Sequence, residues 1–286
     1  MTQDSLTGLC PLPRLLPALV LLCASQAASF AAAPETADTI PIALRDNFPL
    51  LAAQVNGVAV RLKFDLGDGD QLALQQDVLD RIRAVPTGEV ARFKGLYGEF
   101  EAPLYKVSRL QIGTAVFTDV IARLDVRDPT YQPGAQGEDG FLGTGLLRSF
   151  AVVLDYAGQA MTLAPQNEPD DLPDVCTGTA VPFSPVWNGQ PVTEANIDLG
   201  RILLWWDTGS PVSALRKSLI QDAGQEMKED TVTSRRLVLG GKDFGPALLH
   251  VWDMNLPGFD GFIGYDFFSK HVVCVDFPAN RLIVGG

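Results

Sequence analysis

The chain has 286 residues, 47% of them hydrophobic and 20% charged, with 27 Gly and 20 Pro. That is the composition of a folded globular protein rich in turns, long enough for about two domains. The formal net charge is −12 and the sequence pI about 4.6, which excludes the basic surface that nucleic acid or an anionic membrane requires. Two His and no Cys-x-x-Cys leave almost no ligands for zinc, so neither metal nor cofactor is expected.

The first predicted element is a targeting segment. "RLLPALVLLCASQAASFAAA", Arg14 to Ala33, has one basic residue, a short apolar core and a tail of small residues, the pattern of a secretory signal. Ser25-Gln26-Ala27 is its best cleavage site. Residues 1–27 are therefore read as a signal peptide, and the mature chain as periplasmic or secreted. Cys23 lacks the small residue before it that a lipid-attachment signal wants, so no membrane anchor is expected. Cys10 and Cys23 leave with the signal. Cys176 and Cys274 remain, which permits one disulfide in an oxidising compartment or two separate buried thiols.

Strands are predicted at "VAVRLKFD" (58–65), "YKVSRLQIG" (105–113), "FTDVIARLDV" (117–126) and "FAVVLDY" (150–156), rich in branched residues and broken by Gly, Pro and Asp. Short helices are predicted at "QQDVLDRI" (75–82), "GLLRSF" (145–150), "LRKSLIQD" (215–222) and "YDFFSK" (265–270). "APQNEPDDLPD" (164–174) reads as an exposed linker. These elements recur. "GFLGTGLLRSFAVVLDY" (140–156) parallels "GFIGYDFFSKHVVCVDF" (261–277), with fifteen residues from the first Gly to the Asp in both. "SRLQIGTAVF" (108–117) parallels "RRLVLGGKDF" (235–244), and "FDLGDGDQLAL" (64–74) parallels "WDTGSPVSAL" (206–215). The same blocks in the same order make the chain a tandem duplication. A lobe at 38–165, a linker at 166–177 and a second lobe at 178–286 follow.

An apolar run ending in Asp207-Thr208-Gly209-Ser210, then "FIG" (262–264) and a strand closing on Asp-Phe, resembles the aspartic peptidases of the pepsin and retropepsin superfamily, in their tandem, exported, bacterial type. The resemblance runs from about Pro41 to Gly286. It implies a mainly β fold of two β-barrel-like lobes related by a pseudo-two-fold axis, with catalytic Asp65 and Asp207 facing one cleft. Two carboxylates a few Å apart hold one proton between them. The ionised one activates water and the protonated one polarises the peptide carbonyl. Gly67 and Gly209 would make the tight turns, Thr208 would bond across to the other lobe, and Ser210 would orient a carboxylate. "RFKGLYGEFEAPLYKV" (92–107) reads as a hairpin, and its Tyr97-Gly98 resembles the Tyr-Gly of a pepsin flap. The implied activity is endopeptidase, the partner a peptide or unfolded polypeptide, and the state a monomer.

The first copy departs from the motif. Leu66 stands where Thr is expected, Asp68 replaces the Ser, and the loop is one residue longer. An impaired, peptide-binding relative of the same fold is therefore the alternative. Asp65, Asp68 and Asp70 do not have the spacing of an EF-hand. Asp155 and Asp276 at strand ends, Trp205 and Trp206, and His250 and His271 are read as structural.

Overall fold

The computed structural model describes residues 29–32, 36–95, 98–126, 135, 137–166, 172–186, 189–224, 227, 230–254 and 258–285. The first half contains β1 (Ser29–Ala32), β2 (Asp38–Arg45), β3 (Phe48–Val55), β4 (Val58–Phe64), β5 (Leu72–Leu74), α1 (Gln76–Arg81), β6 (Val85–Gly95), β7 (Gly98–Ile112), β8 (Ala115–Leu124), β9 (Gly140–Leu142), β10 (Phe150–Asp155) and β11 (Ala160–Pro165). The second half contains β12 (Thr179–Val186), β13 (Gln190–Ile197), β14 (Gly200–Trp206), β15 (Ala214–Arg216), α2 (Lys217–Asp222), β16 (Thr231–Ser234), β17 (Val238–Leu239), β18 (Lys242–Asp243), β19 (Ala247–Trp252), β20 (Gly261–Ile263), α3 (Tyr265–Phe268), β21 (Val273–Asp276) and β22 (Arg281–Val284).

Local chemistry sets the strand breaks. Asp46-Asn47 and Asn56-Gly57 all take positive φ, giving two-residue turns that fix the β2–β3 and β3–β4 hairpins. The ladders then repeat. In the first half β4 pairs in parallel with β9, Phe64 opposite Leu142. In the second, β14 pairs in parallel with β20, Trp206 opposite Ile263. β5 crosses both β8 and β9, as β15 crosses both β19 and β20. Ala73 faces Phe141 and Ala214 faces Phe262, so the extra residue of the first copy lies between Asp65 and Ala73.

The halves are joined by a sheet to which both contribute. β10 runs antiparallel to β21, Val152 opposite Val275. β11 and β2 extend it on one side, β22 and β12 on the other. β2 then bends away to pair with β3, and β12 to pair with β13. Buried residues of both halves, from Phe64 and Leu66 to Trp206 and Phe268, form one contiguous core. Cys176 and Cys274 are disulfide-bonded, tying the stretch before β12 to β21.

Three features differ from the sequence expectation. β1 precedes the predicted first lobe and lies along β8. The hairpin of β6 and β7 begins at Val85, upstream of 92–107, because Val85-Pro86 pair with Tyr105-Lys106 before a bulge. "GLLRSF" gives only a 3₁₀ turn over Thr144–Leu146, since Phe150 is drawn into β10, where it pairs with Pro165. Among the described residues no helix is long and apolar enough to cross a membrane. The predicted signal lies outside them.

Candidate active site

β4 and β14 each end on a fully buried aromatic residue, Phe64 and Trp206. The next residue in each case is an Asp whose N–H is held by the neighbouring strand: Asp65 donates to Leu142 O at 2.9 Å and Asp207 to Ile263 O at 3.0 Å. The chain then turns back on its own carboxylate. Gly67 N–H donates to Asp65 Oδ1 at 3.0 Å, and Gly209 N–H to Asp207 Oδ1 at 2.7 Å. Each Gly also faces the opposite Asp. A Cβ on Gly67 would lie 2.7 Å from Asp207 Oδ1, and one on Gly209 would lie 2.6 Å from Asp65 Oδ2. Only Gly permits that approach.

Both aspartates are 7% exposed, and each carboxyl group lies against the Gly of the opposite loop, so the two face each other. Burial, and then the charge of Asp65, push the Asp207 carboxyl well above the usual carboxylate range, against the opposing pull of Gly209 N–H and Lys63. Two buried carboxyl groups so placed do not readily both ionise, so the arrangement favours one proton held between them.

Ties between the loops are one-sided. Thr208 Oγ1 donates to Phe64 O at 2.8 Å and accepts from Leu66 N–H at 2.8 Å. Leu66 is fully buried and returns only hydrocarbon. A second tie comes from Gln190, at the start of β13, whose side-chain N–H donates to Gly67 O. Ser210 does not act as the sequence suggested. Its hydroxyl donates to Val212 O at 2.7 Å, inside its own turn, because the Gly209 N–H already orients Asp207. Ser213, which sequence reasoning missed, bridges instead, donating to Asp266 at 2.7 Å and accepting from Gly264 N–H at 3.0 Å. Asp155 and Asp276 bind Gly158 N–H and Arg281 at strand ends, and His271 bonds Gly285 O.

The flanks of the pair differ. Two residues before Asp65 stands Lys63, and two before Asp207 stands Trp205. Strand alternation puts each on the face of its Asp. Lys63 is 2% exposed, with its ammonium 4.0 Å from the Phe48 ring centroid and 4.5 Å from that of Phe141. Trp205 packs on Phe259 and lies against Gly67. The same alternation argument, applied to "LKFD" as well as "LWWD", finds Lys63. Behind the loops, Tyr156 packs on Tyr265 and Phe268 of the other half. Burial, then the charges of Asp207 and Asp65, push its phenol well above its ordinary value.

Asp68 and Asp70 bind Arg123 of β8: Arg123 Nη2 is 2.6 Å from Asp68 Oδ2, and Nε donates to Asp70 Oδ2. The extra acidic residues of the first loop thus hold a cation supplied by the chain itself. The hairpin of β6 and β7 ends at Gly95 and Gly98, which pair with each other. Tyr97 lies outside the described residues. In the second half the place between α2 and β17 holds, among the described residues, only the four-residue β16.

No protein-family profile matches the chain, and no curated protein matches it in sequence. Its structure is similar to the crystal structure of an aspartic proteinase from Irpex lacteus, at 12% identity and a TM-score of 0.57, covering 87% of this chain and 97% of that one. The chain therefore has the mainly β, bilobal fold of the pepsin-like aspartic proteinases.

Proposed function

We propose that this protein is an exported aspartic endopeptidase in which Asp65 and Asp207 share one proton. The observation that carries the reading is the approach of two buried carboxyl groups across matched turns, each held by the Gly N–H two residues on and each lying against the Gly of the other loop. In this reading the ionised carboxylate takes a proton from water as the water oxygen attacks the peptide carbonyl carbon. The protonated carboxyl gives its proton to the carbonyl oxygen, leaving a gem-diol. The carboxyl that took the water proton then gives it to the nitrogen, while the other carboxylate takes a proton from a gem-diol hydroxyl. The C–N bond breaks, the carbonyl re-forms as the product acid, and the pair again holds one proton. Export rests on the predicted signal at residues 1–27, and the polypeptide substrate on the bilobal fold shared with an aspartic proteinase.

The test is purified chain starting at Ala28, incubated with an unfolded polypeptide across a range of pH, beside Asp65→Asn and Asp207→Asn. Cleavage lost in both variants supports the pair. Turnover that survives in either one overturns it. A second reading, a binder without turnover, is favoured by Leu66 at the expected Thr position. It predicts that a hydroxyl-containing peptide inhibitor binds while no pH gives cleavage.

A further inference from the structure

β7 is accompanied by β8 only from Ile112 back to Leu104, which lies opposite Arg123. Beyond that point the hairpin continues as a two-stranded arm, Val90 to Gly95 against Gly98 to Pro103. An isolated pair of strands is marginal in water, so what holds the arm to the body matters. Arg123 sits at its base, on the last rungs of β8, with a side chain only 4% exposed. The ring of Phe93, in the arm, lies over the guanidinium, 4.6 Å from its carbon to the ring centroid. Phe93 is itself stacked on its cross-strand partner Phe100 at 5.6 Å.

The edges of the same guanidinium are taken by the first Asp loop. Nη2 meets Asp68 and Nε meets Asp70, with Asp125 3.9 Å from Nη1. Asp70 N–H donates to Asp68 Oδ1 at 2.9 Å, and Asp68 O accepts from Thr144 N–H at 2.8 Å. The loop is therefore set around the cation. Asp68 lies three residues from Asp65, and its N–H donates to Asp65 O at 3.1 Å. One planar group thus has its rim in the aspartate loop and its face against the arm, an arrangement that lysine could not make. Burial works against the charge of Arg123, but Asp68 and Asp70 outweigh it and bind its proton more firmly than usual.

We propose that Arg123 is a positioning residue that couples the arm to the Asp65 loop through Phe93 on one side and Asp68 and Asp70 on the other. The residues that depart from the family motif would then do specific work: they fix where the arm rests. That the arm covers a substrate depends on the peptidase reading; the coupling itself does not.

The test uses the mature chain and two variants, Phe93→Leu and Asp68→Asn/Asp70→Asn, read by amide hydrogen exchange, which needs no turnover. Phe93→Leu removes the contact while leaving the buried charges in place. The expected result is exchange about tenfold faster at residues 90–103 in both variants, the factor typical of losing a desolvated cation–π contact, with β10 and β21 unchanged. Unchanged arm exchange in Phe93→Leu overturns the proposal, even if the double variant fails to fold. A hydroxyl-containing peptide inhibitor gives the second readout. Its affinity should fall in each variant, and the losses should be non-additive when the variants are combined. Additive losses overturn the coupling. A chain that shows coupled exchange but neither cleaves nor binds the inhibitor retains the coupling and refutes the peptidase reading alone.

Discussion

Thr208 holds Leu66 by its backbone and receives nothing from its side chain. The Thr208 hydroxyl accepts from Leu66 N–H and donates to Phe64 O, both at 2.8 Å, so its donor and one of its lone pairs are taken by the backbone of the opposite half. Leu66 is buried in the common core. The asymmetry of the two loops is thus a division between a polar clamp and an apolar plug.

Thr208→Val should cost more than Leu66→Thr. Val keeps the shape but leaves a buried carbonyl and a buried N–H without the hydroxyl, a loss of about 2–4 kcal/mol. Leu66→Thr gives up apolar burial and regains one cross-loop bond, for a net loss of about 1–2 kcal/mol. Urea unfolding of the two variants measures both, and the reverse order would contradict the clamp.

Asp207→Asn should abolish turnover and flatten the dependence of stability on pH. The folded carboxyl binds its proton more tightly than the unfolded one, because of burial and the charge of Asp65. Its contribution is fully present in acid and is lost as pH rises through the raised value. Asn accepts the Gly209 N–H without ionising. Thermal midpoints across the acid-to-neutral range should fall less steeply in the variant, which at neutral pH should be at least as stable as the parent.

Lys63→Met removes a cationic side chain whose charge lowers Asp207. Both limbs of a bell-shaped pH profile of kcat/KM should therefore move to higher pH. Met fills a similar volume between Phe48 and Phe141, so the fold should persist. A profile that stays in place would show that Lys63 serves packing alone.

Breaking the Cys176–Cys274 bond, 98 residues apart in sequence, should lower stability by about 2–5 kcal/mol. Denaturant curves of the Cys176→Ala/Cys274→Ala variant, or of the parent with reductant, check this.

The sequence exposes the parts of this site that repeat. Asp65 and Asp207, their Gly partners and the strands behind them fall in matched blocks, so one copy locates the other. What stays hidden depends on pairings with no counterpart. Nothing local in "VIARLDV" singles out Arg123, because its partners Asp68 and Asp70 lie more than fifty residues upstream. Gln190 sits at a strand start and reaches Gly67 only once the halves are joined. Ser210 is legible as a loop residue, but the target of its hydroxyl, Val212 O two residues on, is not, since it depends on the geometry of the turn. β1 was hidden because its residues follow directly on the predicted signal, which has a similar composition.

The pairing of β10 with β21 carries a consequence for how such a site can change over generations. In a symmetric dimer of identical chains, any substitution appears on both sides of the axis at once. A Leu at this position would then erase both hydroxyls, and a Thr would restore both. Here the two repeats are welded into one sheet within one chain, so each is inherited separately. The second repeat carries Thr208 and a plain turn, while the first carries Leu66 and an acidic loop around Arg123.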